Sequence, residues 1–429
     1  MEGSNPDNGR MSDRGIRIGA AFWVLTCTGS LFVTAGLWAV EPAIRQVTFG
    51  PSNHFFGYIG HVGNTPWNGS GRYMVLLRTG FQDRMPAPDD AADIVILDTA
   101  NDYAAEKVEE TRAWNPQQGT MLYWNPARPD TQFFFNDRDP ATEKVFCVLY
   151  DLESRRRVKE FRFDDTPIGN SGVAQQGGYF LGLNYGRMDR LRKVTGYPGA
   201  FDWTGETLAP ENDGVFKVDV ESGEKTLLVS FATLADEVRA SLPQVDDLGL
   251  FINHTLWSRD DRRILLYLRG GWSGLARRSR RINEFFTIHP DGSNLTRHET
   301  FPGGHPEWGS GNTVIGAVKG KQAEYNVDTK RITRELGNRQ IFPNPEGDIA
   351  LSPDGHWFVN GYPRSGENVY VIYHMQAGTH FTTPGLPRGA YVKGDLRLDP
   401  SPCWRRDAKA IAFPGLADDG SRQTFIIAF

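Results

Sequence analysis

Leu351-Ser352-Pro353-Asp354-Gly355-His356-Trp357-Phe358-Val359 is a polar turn followed by a strand rich in aromatic and β-branched residues. Pro353 presets φ at the first corner, and Gly355 supplies the left-handed conformation that closes the turn. The same phrase occurs as Trp257-Ser258-Arg259-Asp260-Asp261-Arg262-Arg263-Ile264-Leu265-Leu266-Tyr267. It occurs again as Trp404-Arg405-Arg406-Asp407-Ala408-Lys409-Ala410-Ile411-Ala412-Phe413, and earlier as Asn68-Gly69-Ser70-Gly71-Arg72-Tyr73-Met74-Val75-Leu76. Looser copies lie at 124–135, 176–183 and 308–314. A phrase that returns along a chain marks a repeat architecture.

The turns fall near residues 71, 129, 176, 261, 311, 354 and 407. Most intervals are roughly 43–58 residues, the scale of one four-stranded propeller blade. The interval from 176 to 261, about 85 residues, must hold an insertion. Second-half hairpins sit between the turns, as in Val218-Asp219-Val220-Glu221-Ser222-Gly223-Glu224-Lys225 and Ile288-His289-Pro290-Asp291-Gly292-Ser293-Asn294. The expectation is an all-β chain: one β-propeller domain over residues 47–429, with seven blades.

Composition agrees with that expectation. The chain has 429 residues with 47 Gly and 26 Pro, which suits a turn-rich β domain of one large unit. Net charge is −5, so no global basic field draws nucleic acid. Two local basic runs, Arg155-Arg156-Arg157 and Arg277-Arg278-Ser279-Arg280-Arg281, are read as solvated loops or as contacts to an acidic polymer.

Residues 1–17 are polar and are expected to be disordered. Residues 18–40 carry no charge and follow Arg10, Arg14 and Arg17. That is a basic region ahead of an apolar one, either a signal peptide or a membrane anchor. In both cases the remainder is expected to be exported: periplasmic, extracellular or anchored at the outer side of the membrane. Membrane contact would come only through this segment, if uncleaved. Of the three cysteines, Cys27 lies in the segment, and Cys147 and Cys403 are either buried thiols or a pair.

Helix is scarce. Residues 232–242, with Pro243 just beyond, show helical spacing of apolar residues. This stretch lies inside the long interval, after the Gly/Pro/Asp-rich loop 198–214. Inserted loops of a propeller gather at its faces and build binding sites.

Four stretches hold polar side chains beyond the needs of turns. They are Ser52-Asn53-His54-Phe55-Phe56-Gly57-Tyr58; Trp114-Asn115-Pro116-Gln117-Gln118-Gly119 with Phe135-Asn136-Asp137-Arg138; Asn184-Tyr185-Gly186-Arg187-Met188-Asp189-Arg190-Leu191-Arg192 with Gly196-Tyr197-Pro198; and Phe251-Ile252-Asn253-His254-Thr255-Leu256-Trp257. Each has a bland alternative. Asn, Asp and Gly clusters cap turns. His54 and His254 are equally read as core histidines, and Arg187, Arg190 and Arg192 as surface charges. Three arginines beside two tyrosines, with no run of carboxylates, favour an anion site, because Arg pairs bidentately with carboxylate.

The phrases Asn53-His54-Phe55-Phe56-Gly57-Tyr58, Trp114-Asn115-Pro116-Gln117-Gln118-Gly119, Asn136-Asp137-Arg138, Asn184-Tyr185-Gly186-Arg187 and Asn253-His254, in that order, resemble the propeller proteins related to ulvan lyases. More distantly the chain resembles oligogalacturonate lyase-like and TolB-like propellers. The resemblance spans residues 47–429. It implies a seven-bladed propeller that cleaves a uronic-acid-containing anionic polysaccharide by β-elimination. That chemistry needs a group that neutralises the uronate carboxylate, a base for the C5 proton and an acid for the leaving O4. Arg190 or Arg192, with Asn253 beside it, suits the first role. Tyr185 and His254 suit the other two. His54, Asn115, Gln117, Gln118, Asn136, Arg138, Arg187 and Tyr197 complete the expected substrate-binding set.

The chain departs from these relatives in two places. Where they carry histidines in the second blade, it has Gln118 and the segment Asn136–Arg138. Where they place histidines at a metal site, it has His305, Asp348 and, around Ser401, Asp399. One His and two Asp would suit a structural divalent cation of oxygen-preferring type. The alternative function is a non-catalytic TolB-like propeller that binds a glycan or protein in the cell envelope. No Gly-x-Ser-x-Gly elbow or carboxylate pair supports a hydrolase.

Overall fold

The computed structural model describes residues 42–57, 63–272 and 281–429. The leader 1–17, the segment 18–40 with Cys27, Tyr58, and Arg277, Arg278 and Arg280 lie outside the described residues. No helix among the described residues is long and apolar enough to cross a membrane.

The recurring phrase builds a recurring turn. In the copy at 351–359, the Ser352 hydroxyl donates to Asp354, whose Oδ1 also accepts the His356 amide at 3.0 Å. The Trp357 amide then donates to Ser352 Oγ at 2.9 Å, and Gly355 takes φ +73°. In the copy at 257–267, Ser258 Oγ donates to Asp260 at 2.7 Å and accepts the Arg263 amide at 3.0 Å. Here the left-handed position is held by Asp261, at φ +57°. Its carboxylate accepts the Gln175 and Gln176 amides, 2.7 and 2.9 Å away, so the strain is offset by a tie to the neighbouring sheet.

Each turn joins the first two strands of an antiparallel meander. Five four-stranded sheets form. The first holds Asn53–Phe55, Tyr73–Thr79, Ala92–Asp98 and Ala104–Thr111. The second holds Tyr123–Trp124, Gln132–Arg138, Val145–Asp151 and Arg156–Phe161. The third holds Gly169–Val173, Tyr179–Leu183, Gly214–Asp219 and Lys225–Ser230, and the fourth Leu250–Trp257, Ile264–Gly270, Ile282–Ile288 and Thr296–His298. The last holds Cys403–Trp404, Ala410–Leu416 and Arg422–Ala428, with Ala43–Gln46 as its outer strand. Between the fourth and last sheets lies a nine-stranded sheet. Its halves begin at Gly303–Trp308 and Asp348–Leu351, joined by a parallel bridge between His305 and Asp348.

The first strand of each meander is innermost. Gly169–Val173 is buried throughout, whereas the fourth strands Ala104–Thr111 and Arg331–Leu336 are mostly exposed. Successive sheets are hooked together by indoles at the ends of inner strands. Trp124, Trp257, Trp308 and Trp404 donate from Nε1 to the carbonyls of Pro66, Gly172, Leu256 and Ala350, at 2.7, 3.1, 2.9 and 3.0 Å. Each acceptor belongs to the preceding repeat, so one residue both fills the core between sheets and satisfies a buried carbonyl. The ring closes where the Arg422 amide of the last sheet donates to Asn53 of the first, at 2.9 Å. The architecture is an all-β propeller.

The long interval holds the insertion that its length requires. Helix α1 (Tyr185–Leu191), read from sequence as loop, is a seven-residue helix whose N-cap Asn184 accepts the Arg187 amide. Helix α2 (Phe231–Arg239) starts one residue before and ends three before the expected 232–242, since Leu242 has left the helical region (φ −134°, ψ 66°) ahead of the short 3-10 turn Pro243–Asp247. Cys147 and Cys403 are free and buried.

Candidate functional site

Inner strands of a propeller line its central channel and run the same way, as the parallel pair His305–Asp348 shows. Their N-terminal ends therefore share one mouth. The chain places polar residues at or just before those ends, namely Asn53 and His54, Gln117 and Gln118, Asn170, His305, Asp348, and Asp399 with Ser401, and it adds Asn253 and His254 midway along Leu250–Trp257.

Three consecutive inner strands are bulged there. The register slips between Asn170 and Gly172, between Ile252 and Thr255, and between Gly303 and Glu307. A bulge turns a side chain out of the alternation and toward a site. The second bulge carries Asn253 and His254, and the third carries His305 between Gly304, at φ +74°, and Pro306. The two imidazoles come together, with ring centroids 5.2 Å apart. His305 Nδ1 is hydrogen-bonded to Asp348 Oδ1, and Asp348 Oδ2 accepts the Ser401 amide at 2.8 Å. A carboxylate can only accept, so Nδ1 carries a proton, and in the neutral imidazole Nε2 is then the acceptor. Asp399 lies in the same field. Burial first, then the neighbouring Asp348, pushes its carboxyl above the usual range.

Cations ring these groups. Arg397 donates to Asp399 at 2.9 Å and reaches across to Gln117 Oε1 at 3.2 Å. Arg422 is 4% exposed, stands over the Phe55 ring and donates to Pro116 O at 2.6 Å. Burial brings its guanidinium down to about 10. The Gln117 Nε2, Arg422 Nε, Arg192 Nε and Asn253 Oδ1 atoms are buried without a hydrogen-bond partner among the described residues. Such orphaned atoms are costly in a finished core and ordinary in a site awaiting a ligand.

His54 is buried beside this ring. Its Nδ1 meets Gln423 Oε1 at 3.0 Å, and burial holds the imidazole below its ordinary range. The Gln118 amide is fixed by Asn115 Oδ1 at 2.7 Å, and a Cβ on neighbouring Gly119 would stand 2.7 Å from Phe56 O. This close approach of the first and second inner strands explains why glycine follows Gln118.

The remaining sequence candidates form a clasp rather than a lining. Asn115 Nδ2 donates to Gly196 O at 3.1 Å, Asn136 Nδ2 to the Tyr197 hydroxyl at 2.9 Å, and Arg138 Nη1 to Gly199 O at 3.4 Å. Two residues of the second sheet, and Asn115 on the link that leads into it, thus hold segment 196–199 of the insertion. Asn136 also pairs with the Asn170 backbone in both directions, at 2.9 and 2.7 Å. Tyr185 is 1% exposed, stacks on Tyr197 at 4.1 Å and donates to Asn170 O at 2.7 Å. Burial raises its phenol well above the usual range. Arg187 is equally buried and donates to Leu250 O, Thr204 Oγ1, Thr207 O and Leu208 O. Arg190 pairs with Asp202 at 2.9 Å. Arg192 turns toward Trp272, 5.0 Å from its ring.

Among the described residues no three His, Cys, Asp or Glu side chains are grouped to hold a metal ion. Sequence reading missed Arg397, Arg422 and the joining of His254 to His305. The only sequence signal for the last was the placing of both at inner-strand starts beside Asn or Gly.

No protein-family model matches the chain, and no curated protein matches it. Solved structures do. One of two prolyl endopeptidases aligns with 10% identity and TM-score 0.49, covering 88% of this chain and 48% of that one, so the chain spans about half of that enzyme's length. The Swd1 (Cps50) β-propeller domain of Myceliophteria thermophila aligns with 12% identity and TM-score 0.48, covering 90% and 100%. TolB from Acinetobacter baumannii aligns with 12% identity and TM-score 0.39, covering 86% of each chain. The strand topology above, and not these distant likenesses, makes the chain a β-propeller.

Proposed function

We propose that the protein is an exported seven-bladed propeller, the nine-stranded sheet counting as two blades, and a lyase of uronate-containing polysaccharide. The observation that carries this reading is the pairing of His254 with the Asp348-backed His305, 5.2 Å between ring centroids, with Arg397 held on the neighbouring Asp399. β-Elimination needs those elements together. Arg397, held on Asp399, neutralises the uronate carboxylate and makes the C5 proton acidic. His305 Nε2 takes that proton. The C5–H electrons become the C4–C5 double bond, the C4–O4 bond breaks, and His254 gives a proton to the departing O4. Asp348 keeps His305 in the required tautomer. Tyr185 and Arg190, fixed by Asn170 O and Asp202, support the segment that carries Arg192.

A second reading has its own observation. The clasp consumes Asn115, Asn136, Arg138, Tyr185, Arg187 and Tyr197, which leaves much of the lyase-like motif structural. On that reading the mouth binds an anionic glycan or a protein without cleaving it. Incubation with a panel of uronate polymers, followed by ultraviolet absorbance of the unsaturated product, separates the two. Binding of a polymer with no product from any of them sinks the lyase reading.

A further inference from the structure

Arg269, Arg281 and Arg192 come from two sheets and surround one indole. Arg269 ends strand Ile264–Gly270, Arg281 precedes strand Ile282–Ile288, and Arg192 follows α1. Their guanidinium carbons stand 5.0, 4.6 and 5.0 Å from the centre of the Trp272 ring. The indole is itself anchored, donating from Nε1 to Ile282 O at 3.2 Å. Arg269 Nε donates to Asn283 Oδ1 at 2.9 Å and Arg281 Nε to Gly271 O at 3.3 Å.

Among the described residues no carboxylate forms an ion pair with any of the three. The stretch from Arg269 to Arg281 contains no acidic residue in its sequence either. Yet Arg269 is only 9% exposed, and burial brings its guanidinium down to about 10. The Arg192 guanidinium is also held below its ordinary range, by burial first and then by Arg397 and Arg281. A guanidinium so far from water ordinarily has an anion beside it. Cation–π attraction gathers the three charges but does not neutralise them. The cluster is a preassembled positive site: Asp395 and Asp399 act on Arg192 only at a distance, and among the described residues no carboxylate is bonded to any of the three. Arg192 follows α1, which packs against the strand Leu250–Trp257 that carries His254, and Arg269 pairs in register with Phe251 of that strand, so the cluster borders the histidine pair rather than occupying a remote surface.

We propose that Arg192, Arg269 and Arg281, gathered on Trp272, form a second anion subsite that takes the carboxylate of a sugar next to the reacting one. This rests on the uronate reading of the mouth and deepens it. The ligand is then an oligomer with acidic groups on neighbouring sugars, and one acidic sugar flanked by neutral ones fills only half the site. Arg fits this task through bidentate pairing with carboxylate.

Calorimetric titration of the full chain with galacturonate and mannuronate, each as monomer and as trimer, tests the subsite. Wild-type protein should bind at least one trimer, more weakly as salt rises. Arg281→Gln should weaken that trimer by about tenfold and leave monomer binding unchanged, with Arg281→Lys intermediate. Trp272→Leu should weaken the trimer too, since it releases all three guanidiniums. Absence of trimer binding to wild type, or trimer affinity untouched by Arg281→Gln in protein with wild-type thermal unfolding, overturns the subsite. Product formation is read separately. If Arg281→Gln weakens the trimer and no polymer is cleaved, the lyase reading falls and the subsite stands.

Discussion

His305 and Asp348 are neighbours twice over: they form the parallel backbone bridge between two inner strands, and their side chains are hydrogen-bonded. The contact that joins the two halves of the nine-stranded sheet is therefore the one that sets the tautomer of the imidazole. His305→Ala should lower elimination by roughly 10²–10⁴-fold, the range for loss of a positioned acid or base. Asp348→Asn keeps its oxygen on the Ser401 amide but turns an NH2 toward Nδ1, which moves the ring proton to Nε2 and should lower turnover nearly as far. Equal turnover in His305→Ala and wild type would remove His305 from the chemistry.

The clasp makes a different prediction. Asn136 is wholly buried and bonds Asn170 twice and Tyr197 once. Asn136→Ala leaves those groups unsatisfied and should cost about 3 kcal/mol, at ~1–3 kcal/mol per stranded buried group with partial relaxation. Hydrogen exchange should rise first in segment 184–199, ahead of the inner strands. Uniform loss of protection across all sheets would show that the clasp is no local device.

The indole hooks are testable one at a time. Trp308→Phe retains an aromatic body but removes the donor to Leu256 O. The expected loss is about 1–3 kcal/mol, for an unsatisfied buried carbonyl plus a smaller ring. Denaturant unfolding measures it, and a midpoint equal to that of wild type would argue that packing alone holds these sheets.

Acid should weaken the fold through His298. This imidazole is 2% exposed, touches Thr287 Oγ1 at 2.8 Å and the Tyr325 hydroxyl at 3.1 Å, and stacks on Phe285. Burial pulls it from 6.5 down to about 4. Its folded value lies below its unfolded one, so the unfolded chain binds the extra proton between these limits. The stability lost as pH falls from about 6.5 to about 4 is at most ~3 kcal/mol. His298→Gln should flatten that part of the profile of melting temperature against pH. An unchanged slope would mean that other groups dominate acid unfolding.

The propeller was legible because its signal is repeated: a turn that needs Ser, Asp and a left-handed residue returns at blade-length intervals. Even there, Asp261 and Ala408 stand where glycine is expected, and only structure shows that Asp261 is held by two backbone amides from another sheet. The site was less legible. Asn115, Asn136 and Tyr185 look reactive in one dimension, because sequence lists functional groups without their partners. In three dimensions their partners are backbone carbonyls and one another. His254 and His305 lie 51 positions apart and meet only because two adjacent inner strands bulge at the same level. A bulge leaves almost no mark in composition. Arg397 and Arg422 belong to a loop and to the start of the third strand of the last meander, and no local pattern ties them to the mouth.

The outer strand of the last sheet, Ala43–Gln46, pairs with Arg422–Ala428, so the seam of the ring is made from the two ends of the domain. All other meanders can form as local hairpins, but this one waits for the whole chain. The entropic cost of joining such distant ends grows only with the logarithm of loop length, while the time needed to find them grows steeply with sequence separation. Until Ala43–Gln46 arrives, Arg422–Ala428 presents an open strand edge, a template for pairing with another molecule. The seam is thus the pairing of greatest sequence separation among the described strands, and it is made in a sheet other than those that carry the histidine pair, so closure of the ring and assembly of the pair are separable.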